Sequence, residues 1–114
     1  MAGSTVQRNA GQTYALALTT SAHTAVLIND TTNDQCNYTS FLNAGGNACA
    51  IRWNTANANL SGVAIPTDGT SGDYVLPANM TTPLILATPT TPYYLSAIGA
   101  GTTTLYVTPA ADQS

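Results

Sequence analysis

Residues 37–54 read NYTSFLNAGGNACAIRWN, and the reading of the fold turns on the double glycine at the centre. A two-residue hairpin turn needs positive φ at both central positions, which glycine reaches without a Cβ penalty. With Gly45 and Gly46 in that turn, Ala44 faces Asn47 and the flanking stretches pair as two antiparallel strands. One face then collects Cys36, Tyr38, Ser40, Leu42, Cys49, Ile51 and Trp53. The other collects Asn37, Thr39, Phe41, Asn43, Ala48, Ala50, Arg52 and Asn54. Period-2 alternation assigns the first set to a core and the second to an outer face. A phosphate-binding glycine loop would want a Lys and a following helix, and neither is here. The stretch therefore predicts a hairpin and no reactive loop.

The same register sets Cys49 opposite Leu42 and Cys36 opposite Thr55. About six residues of strand, at roughly 3.4 Å each, separate the cysteines, well beyond disulfide reach. Two reduced, buried thiols acting as small hydrophobes are expected. No His stands beside them, so a zinc site is not supported.

Elsewhere the chain breaks at turn signals into short, β-branched pieces with no helical period. Strands are expected over 13–20, 24–29, 37–43, 48–54, 62–65, 73–76, 84–88, 93–98 and 103–108. Their separators are Gly-, Pro-, Asn- and Asp-rich, as turns require. Eight or nine such strands in 114 residues predict one all-β domain spanning 1–114, a jelly-roll-like antiparallel β-sandwich with an extended N-terminal arm over 1–11. A second hairpin is expected at the C-terminus, where Gly99, Ala100 and Gly101 would set Leu95 against Leu105 and Tyr93 near Val107.

Charge is scarce. Only 6% of residues are charged against 44% hydrophobic, Lys and Glu are absent, and the net charge is −3. A typical domain carries about 25% charged residues. Arg8 and Arg52 cannot neutralise a phosphate track, so no nucleic-acid partner is expected. No apolar run reaches the roughly 18 residues of a membrane span. The opening MAGSTVQRNAGQ lacks the pattern of a secretory signal, so a protein made in a cytoplasm and either kept there or released by a route that needs no signal, such as lysis, is expected. Sheet edges without lysine are poorly protected, which points to faces or edges covered by partner chains and to a homo-oligomer, a dimer or trimer; the alternative is a well-solvated Thr-rich surface.

Catalytic candidates are weak. His23 is the only imidazole and sits between two expected strands, where a turn histidine explains it. Asp68 and Asp73 fall in TDGTSGD, where Asp-Gly is turn chemistry rather than a glycosidase pair. The run NDTTNDQ at 29–35 offers oxygen ligands, but it lacks the Gly and Glu of a calcium loop. The sequons at Asn29, Asn37, Asn59 and Asn79 are ordinary for so Asn- and Thr-rich a chain. No enzyme, metal or cofactor is expected. Phe41, Arg52, Tyr94 and Tyr106, all read as outward, are residue types that anchor interfaces.

The C-terminal half, with GDYVLP, then a Thr/Pro-rich strand, then YLSAIGAG running into TLYVTP, resembles small structural proteins of tailed bacteriophages. The stretch AVLINDTTNDQCNYTSFLNAGGNACAIRW is similar to their preceding hairpin. The type resembled is the capsid decoration, or cement, protein. That resemblance implies a non-enzymatic virion protein on the capsid surface with the major capsid protein as partner, and it carries over no catalytic residue. The alternative is a carbohydrate- or receptor-binding β-sandwich of a phage tail or fibre.

Overall fold

The computed structural model describes residues 7–9, 12–29, 38–56, 60, 62–89 and 92–112. They form an antiparallel β-sandwich. Its strands are β1 (Gln7–Asn9), β2 (Tyr14–Leu18), β3 (Val26–Ile28), β4 (Tyr38–Asn43), β5 (Cys49–Asn54), β6 (Tyr74–Leu76), β7 (Leu84–Ala87), β8 (Tyr93–Gly99) and β9 (Thr103–Asp112). The larger sheet runs β1-β9-β4-β7, with β2 also on β9, and the smaller sheet runs β3-β8-β5-β6. The expected strand over 62–65 lies outside either sheet, with Gly62 in a turn at φ 83°, and β1 was not expected as a strand. It lies within the N-terminal arm, where Gln7 pairs with Asp112.

The pairing is nested. β2 pairs with β9, β3 with β8, β4 with β7 and β5 with β6, as if one long two-stranded ribbon had been rolled on itself. That is a jelly-roll-like order, and it corrects both expected hairpins. β4 and β5 do not pair with each other: β4 lies between β9 and β7, and β5 between β8 and β6. Likewise β8 belongs to the smaller sheet and β9 to the larger. In a rolled ribbon, sequence neighbours joined by a short turn sit in facing sheets, so the turn crosses the core.

Crossing changes the parity of the faces. Thr39, Phe41 and Asn43 point inward and are fully buried, while Tyr38, Ser40 and Leu42 are half-buried on the outside. The face expected for β4 was therefore inverted. That of β5 was right, with Cys49 and Ile51 buried and Trp53 packed against the core. Phe41 and Trp53 stack across the two sheets, their rings 5.6 Å apart at 18°. Leu16, Leu18, Ile28, Leu76, Tyr93, Leu95, Leu105 and Val107 complete the cluster. The inward assignment of Tyr93, Leu95, Leu105 and Val107 stands although their pairing does not.

Buried polar groups are matched. Thr39 Oγ1 bonds both the Tyr93 hydroxyl and Thr88 Oγ1, tying β4 to β8 through the core. Asn43 Nδ2 donates to the carbonyls of Asn47 (2.8 Å) and Pro77 (2.9 Å), and its Oδ1 accepts from Thr103 Oγ1 at 2.6 Å. Three connections between sheets meet at that one side chain. Neither Gly45 nor Gly46 has positive φ, which a two-residue hairpin turn would demand. Gly45 is needed for space: a Cβ there would lie 2.0 Å from Thr103 Oγ1, whereas one on Gly46 would meet nothing within 4 Å.

Cys49 is a free, fully buried thiol, as expected. Cys36, like the 29–35 oxygen-ligand run beyond Asn29, lies outside the described residues, and the distance argued from the hairpin register falls with that hairpin. Burial pushes the Cys49 thiol up from 9.0 to about 11.

Two outcomes follow from this packing. Gly46→Ala should leave the unfolding midpoint within about 0.5 kcal/mol of the parent, while Gly45→Ala should cost about 1–3 kcal/mol by overpacking. Equal, large losses at both would restore the hairpin. Cys49, held protonated in the fold, contributes stability that is full below pH 9.0 and lost as pH rises toward about 11. Urea titrations at several alkaline pH values should show a shallower decline for Cys49→Ala than for the parent.

Candidate interaction surface

The four residues read as interface anchors do not form one site. Phe41 is buried beneath the larger sheet and offers no surface; the inverted parity of β4 is the reason. Arg52 stands on the outer face of the smaller sheet, directly across from Ser96 on β8. Its guanidinium grips Asp73 in a fork, Nε to Oδ1 at 2.7 Å and Nη2 to Oδ2 at 3.0 Å. Tyr94 is on that same face, flanked in register by Leu27 and Asn54. Tyr106 is on the opposite side of the molecule, on β9, between Ala15 and Leu42. It is 39% exposed.

The outer face of the smaller sheet is partly closed by the chain itself. Asp73 Oδ2 also accepts the Ala64 amide at 2.8 Å, and the Asp73 amide donates to the Ala64 carbonyl at 2.8 Å. These bonds and the Arg52 fork latch the segment 62–73 to β5. Ala50 and Ser96 both alternate outward from this sheet, yet they are 0% and 2% exposed. Leu60 and Val63 are buried as well, outside the central cluster. Within the segment, Asp68-Gly69 makes the tight turn expected of it, with Gly69 at φ 77° and Thr67 and Thr70 exchanging both backbone bonds.

Three edges are blunt. β3 and β6 are three residues long and β7 is four. Pro83 and Pro89 bracket β7. Shortness protects these three edges, and proline also β7, in place of lysine; β2, five residues long and paired among the described residues only with β9, is a longer edge without either device.

Leu27 and Val75 remain exposed on the outer face of the smaller sheet, and among the described residues no such latch lies over the outer face of the larger sheet. Its outward positions are Thr13, Ala15 and Ala17 beside β9; Thr104, Tyr106 and Thr108 on β9; Tyr38, Ser40 and Leu42 on β4; and Ile85 and Ala87 on β7. Ile85 is 43% exposed. Thr13 and Thr108 share a hydroxyl bond of 2.8 Å. None of these residues is charged. The only charged residues on the strands of this sheet, Arg8 and Asp112, occupy one far end, at neighbouring register positions. Sequence reasoning found Tyr106 but missed Tyr38, Leu42 and Ile85, because the hairpin assumption turned the β4 pair inward.

His23 is engaged locally. Its ring Nδ1 donates to the Thr24 carbonyl at 2.7 Å, its amide donates to Ala97, and its carbonyl accepts from Ser96 Oγ at 2.8 Å. Ser96 therefore meets the backbone of His23 and not its ring. Among the described residues no three His, Cys, Asp or Glu side chains gather as a metal site, and no helix is long and apolar enough to cross a membrane. Compared with protein-family models, curated proteins and solved structures, the chain matches none.

Truncation separates core from surface. Phe41→Ala should lose about 3–5 kcal/mol, read from denaturant unfolding followed by Trp53 fluorescence. Tyr106→Ala should stay within about 0.5 kcal/mol. The reverse order would return Phe41 to the outside.

Proposed function

We propose that this chain is a non-enzymatic structural protein of a phage virion, which binds the outer surface of the capsid and cements neighbouring capsomers. The observation carrying this reading is the outer face of the larger sheet, whose outward residues on β2, β9, β4 and β7 are uncharged and include the exposed Tyr106 and Ile85, while the opposite face is partly closed by its own loop. Such a face is costly to leave in water and cheap to desolvate, because no ion must be stripped of its hydration. The resemblance to capsid decoration proteins supplies the setting. A sandwich crossed by several short connections, with its buried polar groups matched, is a stiff block, and stiffness suits a part that must resist separation of its neighbours. Cementing works by multivalency: weak contacts to adjacent subunits add when one rigid body makes them together. Tyr106, Tyr94 and Arg52 remain surface candidates for contact with the shell, and Phe41 does not.

Immunogold electron microscopy on virions of the phage encoding the chain tests this directly. Label spread over the capsid is the expected result. Label confined to tail tips would replace it with the tail or fibre binding module, and unlabelled particles would remove the virion reading altogether.

A further inference from the structure

The latched segment between β5 and β6 ends in a small hairpin outside either sheet, with Asp68-Gly69 at its tip. Two sets of bonds close it in one register, since Ala64 faces Asp73 and Thr67 faces Thr70. At the base, the Asp73 amide donates to the Ala64 carbonyl and Asp73 Oδ2 accepts the Ala64 amide. Nearer the tip, Thr67 and Thr70 exchange backbone bonds of 3.1 and 2.9 Å. The two aspartates of this segment stand in opposite circumstances. Asp73 has its carboxylate held by three donors, Arg52 Nε, Arg52 Nη2 and the Ala64 amide, and Tyr74 follows it into β6. Asp68 is exposed, and among the described residues its carboxyl has no hydrogen-bond or charge partner.

The residue after Asp68 sharpens the contrast. Gly69 is exposed at φ 77°, and a Cβ built on it would meet nothing within 4 Å. Its amide nitrogen takes no part in the Thr67–Thr70 bonds and has no other partner among the described residues. A free carboxyl is thus followed directly by a free amide nitrogen that no side chain shields, and a bond between the two closes a succinimide ring. We propose that Asp68-Gly69 is a site of spontaneous backbone modification, at which the tip of this hairpin converts to isoaspartyl-glycine while Asp73 stays intact.

In the first step the Gly69 nitrogen attacks Cγ of Asp68. The N–Cγ bond forms, and the hydroxyl of the carboxyl leaves with the amide proton as water. In the second step water opens the ring. Addition at Cγ restores aspartate; addition at the backbone carbonyl carbon breaks its bond to nitrogen and leaves the chain running through the side-chain carbon. The water lost is regained, so the net change is an isomerisation that needs no oxidant or cofactor. The product carries an extra carbon in the backbone of the tip. A tight turn closed by reciprocal bonds cannot absorb that carbon in the same register, so the Thr67–Thr70 pair opens. The base at Ala64 and Asp73, tied to Arg52, holds. The inference rests on this turn alone and needs no capsid.

The purified chain, aged in neutral buffer at physiological temperature, is digested with an endoproteinase that cuts before aspartate and not before isoaspartate. The expected result is progressive loss of cutting before residue 68, retained cutting before Asp73, and a transient species lighter by one water. Asp68→Ser should remove the lighter species. Amide hydrogen exchange on the aged protein should lose protection at Thr67 and Thr70 and keep it at Ala64 and Asp73. Cutting before residue 68 that survives ageing overturns the proposal. So does equal loss at Asp73, or a converted protein in which Thr67 and Thr70 stay protected. None of these results bears on the immunogold experiment, so the two readings can fail separately.

Discussion

The carboxamide of Asn43 holds together the end of the sandwich where the chain repeatedly crosses from sheet to sheet. It is fully buried, and its bonds reach the 44–48 turn, the stretch after β6 and the start of β9. Each crossing takes backbone out of a ladder and into the end of the core, where unpaired carbonyls would cost about 1–3 kcal/mol apiece. One side chain with two donors and an acceptor answers several of them at once. Neighbouring backbone bonds do the rest: Asn79 to Gly45, Met80 to Asn43, and Ala100 to Ala48. Gly45 is the spatial counterpart, since Thr103 must approach closely enough to reach Asn43.

From this constraint the division of surfaces follows. A ribbon rolled into two sheets leaves two outer faces and two flanks. Three of the flank strands, β3, β6 and β7, are only three or four residues long, with Pro83 and Pro89 beside β7, while β2 runs to five. On the smaller sheet a forked ion pair, Arg52 with Asp73, holds the 62–73 segment over the outer face. An ion pair at such a half-exposed site adds modest stability, and its larger effect is to fix where that segment lies. Among the described residues no comparable latch lies over the larger sheet, whose outward positions on β2, β4, β7 and β9 are uncharged.

Composition and turn chemistry alone determined a good deal. Short β-branched runs between Gly, Pro, Asn and Asp predicted an all-β sandwich, and eight of the nine strands lie where alternation expected them. The buried state of Cys49, the Asp68-Gly69 turn and the inward Leu95, Leu105 and Val107 were legible for the same reason: each depends on local chemistry or on period 2 along a single strand. What only the tertiary structure decided was which strands pair. AGG and GAG are equally suited to closing a hairpin and to carrying the chain across a core, because small residues serve tight turns and close packing alike. YTSFLN has an apolar and a polar residue on either face, so alternation could not choose its inside, and the assumed turn chose wrongly. Phe41 therefore moved from surface anchor to core, and Leu42, Ser40 and Tyr38 moved out to the outer face beside Tyr106. Sequence spacing reports the face of a strand; the partner across the ladder is a long-range choice, made by burial of the whole ribbon at once.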